Sequence, residues 1–198
     1  MKVLIACEFS GTVRDAFIRR GHYAVSCDII ETEKPGPHII GDCVEAIKSS
    51  QWDLIIMHPP CTALSLSGNA WYGRGKPKHA ERLKSLAWTG ALWRLAISIC
   101  PRVMLENPAN VLGAEIGKRT QAIHPWQFGH PEQKETWLWL HGLTSLRETN
   151  NVRAEMMGLA KKDRERLHYL SPGPERAKIR AKTFHGIAEA MAEQWGSL

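Results

Sequence analysis

VLIACEFSGTVRDAFIRRGHYAVSCD, residues 3–28, is the stretch on which the fold turns. Val3-Leu4-Ile5-Ala6 is a short unbroken apolar run, the pattern of a strand buried on both faces. Gly11 follows, then Val13, Ala16, Phe17 and Ile18 at helical spacing, and Gly21 stops the helix. Tyr23-Ala24-Val25-Ser26-Cys27 is a second run, ending in Asp28. Strand, glycine turn, helix and acid-terminated strand make a βαβ unit of Rossmann type.

The alternation continues outward from that unit. His38-Ile39-Ile40 reads as a third strand ending at Gly41-Asp42, and Val44 to Ser49 as a helix. Asp53-Leu54-Ile55-Ile56-Met57 is a fourth strand, terminated by Pro59-Pro60. Residues 68–80, rich in Gly, Lys and Arg, read as an exposed, mobile loop. Arg82 to Ile99 is a long helix with Leu83, Leu86, Ala87, Leu92, Leu95 and Ala96 on its apolar face. Pro101 stops it, and Arg102 to Glu106 is a fifth strand ending in an acid. A helix-like stretch runs to about Gln121, and Thr136 to Leu140 alternates with Trp137 and Trp139 on one face. Between 141 and 183 periodicity is poor and charge is high. Ile187 to Trp195 closes the chain as a helix with Ile187, Ala190, Met191 and Gln194 on one side. With no repeat or clear linker, the expectation is one α/β domain over 1–198, built on a doubly wound, mostly parallel sheet.

Composition narrows the class. The 198 residues are 43% hydrophobic and 23% charged, which excludes a disordered tail, a collagen-like rod and a coiled coil. No apolar run approaches the roughly 20 residues of a membrane helix, and Cys7 and Glu8 interrupt the first run too early for a signal peptide. A soluble, cytoplasmic protein without a membrane partner is expected. The five cysteines, at 7, 27, 43, 61 and 100, contain no CxxC pair, and the nine histidines show no HxxxH or HExxH spacing. Neither a disulfide framework nor a metal site is therefore expected, and each cysteine is by default a core residue. The net charge of +6 is concentrated in two runs. Arg74, Lys76, Lys78, Arg82 and Lys84 form the first. Lys161, Lys162, Arg164, Arg166, Arg176, Lys178, Arg180 and Lys182 form the second. Such runs read either as solvated surface or as a rim for nucleic-acid phosphates.

In doubly wound sheets the ligand lies beyond the carboxyl ends of the strands. The residues there are Glu8-Phe9-Ser10-Gly11, Asp28, Asp42, His58-Pro59-Pro60-Cys61 and Glu106-Asn107-Pro108. No GxxxxGK[ST] occurs, which argues against a nucleotide triphosphatase. Phe9-Ser10-Gly11-Thr12-Val13 falls far short of GxGxxG, so a pyrophosphate would be poorly cradled. Acids at strand ends instead suit a cofactor with hydroxyls and a base but no phosphates. Asp28 can accept both ribose hydroxyls and Asp42 an adenine amino group. S-adenosylmethionine is such a ligand; strand-end or turn-opening caps are the alternative reading of the same acids.

His58-Pro59-Pro60-Cys61 after the fourth strand, followed by Glu106-Asn107 after the fifth, resembles the signature of the cytosine carbon-5 DNA methyltransferases. Phe9-Ser10-Gly11 is similar to that family's first cofactor turn, Asp28 to its ribose ligand and Gly41-Asp42 to its adenine ligand. Gln127-Phe128-Gly129-His130-Pro131-Glu132-Gln133 resembles the later Phe-Gly-x-Pro-Gln segment, and Gly186 to Met191 the closing helix. The resemblance implies an S-adenosylmethionine-dependent methyltransferase fold with a cofactor site of Glu8, Phe9, Ser10, Gly11, Asp28, Ile29, Asp42, Cys43 and Pro59. It implies Cys61, Glu106 and Asn107 as catalytic, and Pro60, Thr62, Ser65, Arg74, Lys76, Lys78 and Lys134 as substrate-binding. Cys61 would attack carbon 6 of the pyrimidine and Glu106, its pKa raised by burial, would protonate ring nitrogen 3. Asn107 would fix either the exocyclic amino group or the loop carrying Cys61. A structural thiol and a strand-end cap are the plain alternatives for Cys61 and Glu106. The target base would be flipped out of the duplex. The loop Thr62 to Lys84 would close over it, with Trp71 or Tyr72 filling the stack or packing in the loop.

Three departures bear on the substrate. Only about residues 141–183, a short basic segment, stand where the family has a long target-recognition region. Gln133-Lys134-Glu135-Thr136 replaces the family's QxRxR, leaving Lys134 the nearest cation. His58 precedes Pro-Pro and Thr62 follows Cys61 in place of the usual residues; His58 would tune the thiol or be satisfied by backbone. The compact form is similar to short methyltransferase-like proteins of phages and bacteria. The expectation is methylation of cytosine carbon 5 in DNA, target recognition coming from the basic segment or a protein partner. The alternatives are a free pyrimidine nucleotide or RNA as substrate, or a non-catalytic nucleic-acid-binding relative.

Overall fold

The computed structural model describes residues 1–171 and 173–197; Pro172, within the 141–183 segment, and Leu198 lie outside the described residues. Strand β1 (Lys2–Ala6), helix α1 (Thr12–Arg19) and strand β2 (Tyr23–Asp28) form the expected opening unit. β3 (His38–Ile40), α2 (Cys43–Lys48) and β4 (Leu54–Met57) follow. α3 (Asn69–Tyr72) and α4 (His79–Ile99) lead to β5 (Val103–Pro108), α5 (Gly113–Ile116), β6 (Gln121–Ile123) and β7 (Thr136–His141). Three short helices, α6 (Arg153–Gly158), α7 (Lys161–Arg164) and α8 (Pro174–Ala181), precede α9 (His185–Trp195).

The seven strands form one sheet in the order β3-β2-β1-β4-β5-β7-β6. β3, β2, β1, β4 and β5 are mutually parallel, and β7 runs antiparallel to both β5 and β6. The 3-2-1-4-5 order is that of a Rossmann-like sheet, with one reversed strand inserted before β6. The topological switch point lies between β1 and β4. Ala6 pairs with Cys27 and Met57, and Met57 with Leu105. The next residues, Cys7, Asp28, His58 and Glu106, therefore stand in a row along one carboxyl edge.

Side chains alternate across the sheet and bury both faces. Val3, Ile5, Leu54, Ile56 and Met104 pack with Val13 and Phe17 of α1 and Ile187, Met191 and Trp195 of α9. Leu4, Ala6, Ile55, Met57, Val103 and Leu105 pack on the opposite side with Ile47, Trp52 and Leu92. Trp195 is fully buried, its indole N–H donating to the Thr144 carbonyl at 2.9 Å.

Three expectations are corrected. Leu83 is 54% exposed and Ala87 is exposed as well, so the first turns of α4 turn these apolar residues outward. Arg82 is buried there, donating to Asn69 Oδ1 at 2.6 Å and to the carbonyls of Ala63 (2.6 Å) and Ser65 (3.0 Å). That anchor organises the 62–72 segment into a 3-10 turn (Leu66–Gly68) and α3, and removes Arg82 from the exposed basic run. The stretch read as helical to Gln121 holds one turn, α5, ended by Gly117 at φ +86°, and then becomes β6. Between 141 and 183 the deep anchors are Leu146, Met156 and Leu167, too sparse to give a clean helical period.

Candidate active site at the carboxyl edge of the sheet

The turn after β1 is locked by its own side chains. Cys7 takes φ +58°, and the Glu8 carboxylate folds back to accept the backbone N–H groups of Val13 (2.7 Å) and Arg14 (3.3 Å). Ser10 Oγ donates to Glu8 at 3.1 Å and accepts from the Thr12 N–H at 3.2 Å. Both side chains thus meet unpaired donors at the start of α1. Gly11 lies at φ +69°, and a Cβ there would strike the Arg14 guanidinium. Arg14, fully buried, bonds Asp15 (2.8 Å), Ser26 (3.2 Å), Thr32 (3.3 Å) and the carbonyls of Lys34 (3.0 Å) and Pro35 (3.3 Å). It staples the 32–35 loop beside the site. Sequence reasoning passed over Arg14; a cation beside Val13 and Phe17 on the inward face of α1 was the available signal.

At the ends of β2 and β3 the expected ligand-binding residues separate. Burial raises the pKa of the Asp28 carboxyl, a rise partly offset by the backbone N–H groups of Ile30 and Ile29; Oδ1 accepts from Ile30 at 3.3 Å. Ile29 beside it is 79% exposed, an apolar surface next to an acid. Asp42 caps α2 through the Val44 N–H at 2.9 Å. Cys43 is buried with Sγ 3.7 Å from Cys7 Sγ, facing inward because it opens the buried side of α2. Burial pushes the neighbouring Cys27 thiol up to about 12.

β4 leads into the turn of Cys61, and β5 carries Glu106 and Asn107. Pro59 is buried, Pro60 and Thr62 are exposed, and Cys61 is partly accessible between them. The buried Asn107 amide donates to the Pro59 carbonyl at 2.8 Å and accepts from Asn110 at 3.2 Å, so it holds the turn that carries Cys61. The Cys61 carbonyl accepts from the N–H groups of Leu64 (3.0 Å) and Ser65 (2.9 Å). Burial first, then the Glu106 charge, raises the Cys61 thiol; Lys134 and Arg180 oppose the rise. Glu106 departs from expectation. Burial acts to raise its pKa, but the His58 hydrogen bond and the Lys134 charge outweigh it and hold the carboxyl below its usual value. His58 also differs from both readings of it: Nδ1 lies 3.1 Å from Glu106 Oε2, and the ring bonds neither the thiol nor a carbonyl.

Lys134 reaches this pair because β7 runs antiparallel to β5, with Thr136 opposite Pro108. Its ammonium donates to the Arg180 carbonyl at 3.0 Å and lies 5.9 Å from the Phe184 ring centroid. The segment 181–184, absent from the expected site, roofs the edge. Ala181 and Thr183 close a cavity of about 10 Å³ over Cys7 to Ser10 and His58. Thr183 and Phe184 close a second of about 10 Å³ over Glu106 and Lys134. Each is roughly one water in size, far below the several hundred Å³ of a small-molecule pocket. Lys182 pairs with Glu33 at 2.6 Å across the edge.

The basic runs also divide. Arg74, Lys76 and Lys78 are exposed, Lys78 lying 5.7 Å from the Tyr72 ring, and Ser65 is part-exposed in the wall between Cys61 and that loop. Arg166, Lys178 and Lys182 pair with Glu132, Glu175 and Glu33. All five cysteines are free thiols; Cys27, Cys43 and Cys100 are buried, while Cys7 and Cys61 are partly exposed. Among the described residues no helix is long and apolar enough to cross a membrane, and no group of three or more His, Cys, Asp or Glu is placed to hold a metal ion. No protein-family model matches the chain, and no curated protein matches it in sequence.

Proposed function

We propose that this chain is an S-adenosylmethionine-dependent methyltransferase acting at carbon 5 of cytosine in DNA. The observation that carries the reading is the meeting of Cys61 and Glu106 from adjacent parallel strands, with Lys134 acting on both. The donor set suits the cofactor. Asp28 has a carboxylate oxygen free for hydroxyls, Ile29 offers an apolar face, and Phe9 with the turn backbone lines the cavity at the switch point. When bound, S-adenosylmethionine supplies an electrophilic methyl group. The roof at 181–184 lifts to admit it.

Cys61 Sγ, as thiolate, bonds to carbon 6, and the electrons of the 5–6 double bond move toward carbon 5 and the ring. Lys134 and Arg180 favour that thiolate. A proton delivered from the Glu106 side to ring nitrogen 3 stabilises the developing charge. Once carbon 5 is methylated, water takes its proton, the 5–6 double bond re-forms and the Sγ–carbon 6 bond breaks to return the thiolate. Asn107 keeps the Cys61 turn against β5 throughout. Exposed Arg74, Lys76 and Lys78 take backbone phosphates.

A second reading, a free pyrimidine nucleotide or RNA as acceptor, is favoured by the 141–183 region, whose helices are short and whose end closes on the site. Incubation with methyl-labelled cofactor and duplex DNA, RNA or deoxycytidylate separates the two. Label in DNA cytosine, lost in Cys61→Ser, is expected. Label in deoxycytidylate or RNA alone replaces the DNA reading. Label in DNA that survives Cys61→Ser removes the covalent route.

A further inference from the structure

Resting on that reading, we propose that His58 is the positioning residue of the site, clamping Glu106 and holding the proton that Glu106 passes to the substrate ring. The imidazole sits between the two cavities. Nδ1 bonds Glu106, which lines the second; the ring lines the first; and Nε2 is buried without a partner. The side chains are 6% and 16% exposed, so water does little to screen the pair.

A structural clamp alone does not call for an imidazole. An asparagine amide can donate one bond to Glu106 and leaves no second ring nitrogen stranded. What the imidazole adds is the capacity to carry a proton near neutral pH. The Glu106 carboxyl resists protonation where it stands, because His58 and Lys134 favour its charged form. An acid that must protonate nitrogen 3 from such a setting needs a neighbour to hold the proton for it. The charged and titratable groups around the pair are Lys134 ahead of β7, Cys61 on the same turn as His58, Cys7 and Glu8 after β1, and Arg180 at the end of α8.

The nitrogen 3 proton needs no reagent beyond this pair, while the carbon 5 proton leaves to solvent water. In the proposed path the proton starts on the His58 ring beside the Glu106 carboxylate. The proton passes from Nδ1 through the carboxyl group to nitrogen 3 as the Sγ–carbon 6 bond forms. It returns by the same path when that bond breaks, leaving the pair as it began.

Two variants divide the clamp from the proton store: His58→Asn keeps a donor to Glu106 without a titrating ring, and His58→Ala removes both. Carbon-13 titration of the Glu106 carboxyl, read without substrate, should move upward in both variants and further in His58→Ala, where the hydrogen-bond donor is lost together with the ring; an unmoved signal in His58→Ala overturns the clamp. In methyl transfer, His58→Asn should retain most activity near about pH 5.5 and lose about 100-fold near about pH 8, with KM for both substrates unchanged. A His58→Asn profile parallel to wild type overturns the proton role while leaving the methyltransferase reading intact. Wild-type protein inactive on every pyrimidine acceptor overturns that reading and the proton role with it, and the carboxyl titration then decides the clamp alone.

Discussion

The floor and the roof of the candidate site are held by different kinds of bond. In the floor, buried side chains grip backbone: Glu8 on the first turn of α1, Asn107 on Pro59 and Arg14 on the 32–35 loop. In the roof, the Arg180 carbonyl takes one bond from Lys134, Lys182 pairs with Glu33 through side chains 39% and 40% exposed, and Phe184 packs against the core and the His130 ring at 5.1 Å. Breaking a buried charged network costs several kcal/mol, whereas an exposed ion pair contributes about 0–1 kcal/mol. The floor is therefore preorganised, and the Lys182–Glu33 tie of its cover is the part that can be removed cheaply.

The sharpest way to break that contrast is from below. Arg14→Ala should lower stability by about 3–5 kcal/mol, seen as a fall in the urea midpoint at constant slope. A loss under about 1 kcal/mol would make floor and roof alike. Asn107→Ala, which strands the Pro59 carbonyl, should cost about 1–3 kcal/mol in the same assay.

Those two residues also show how far the sequence could be read. The β1–α1–β2 unit and the strand ends that set the Cys61 turn and Glu106 on one edge follow from apolar runs and punctuation, because strand ends in a parallel sheet are local events. The partnerships there do not. His58 meets Glu106 across 48 residues, and Lys134 joins them only because β7 is reversed. The sign of the Glu106 shift was misread for that reason: burial was foreseeable from β5, but the donor and cation opposing it come from other strands. The roof was invisible, since a weakly periodic basic segment does not declare what it covers. Arg82 was read by its charge and Arg14 not at all, although both are buried anchors.

Smaller effects sharpen the comparison at the roof. Cys61, pushed up by burial and by Glu106, should be alkylated slowly at neutral pH, the rate rising as pH climbs beyond the ordinary thiol range. Lys134→Met removes a cation that favours the thiolate, so alkylation at fixed pH should slow roughly three- to ten-fold. Equal or faster alkylation would show that Lys134 acts on Cys61 only as a prop for the roof. Lys182→Ala should change stability by less than about 1 kcal/mol while speeding Cys61 alkylation, because the cover opens more often. A large stability loss would mean the roof is part of the rigid floor.

The most direct measurement is mass spectrometry of the protein after incubation with S-adenosylmethionine and duplex DNA carrying 5-fluorocytosine, in which carbon 5 has no proton to lose. The expected product is a DNA–protein adduct mapped to Cys61, present in wild type and missing in Cys61→Ser. An adduct at another residue, or none with wild-type protein on DNA of varied sequence, would contradict the pairing of Cys61 with Glu106 around one cytosine in DNA.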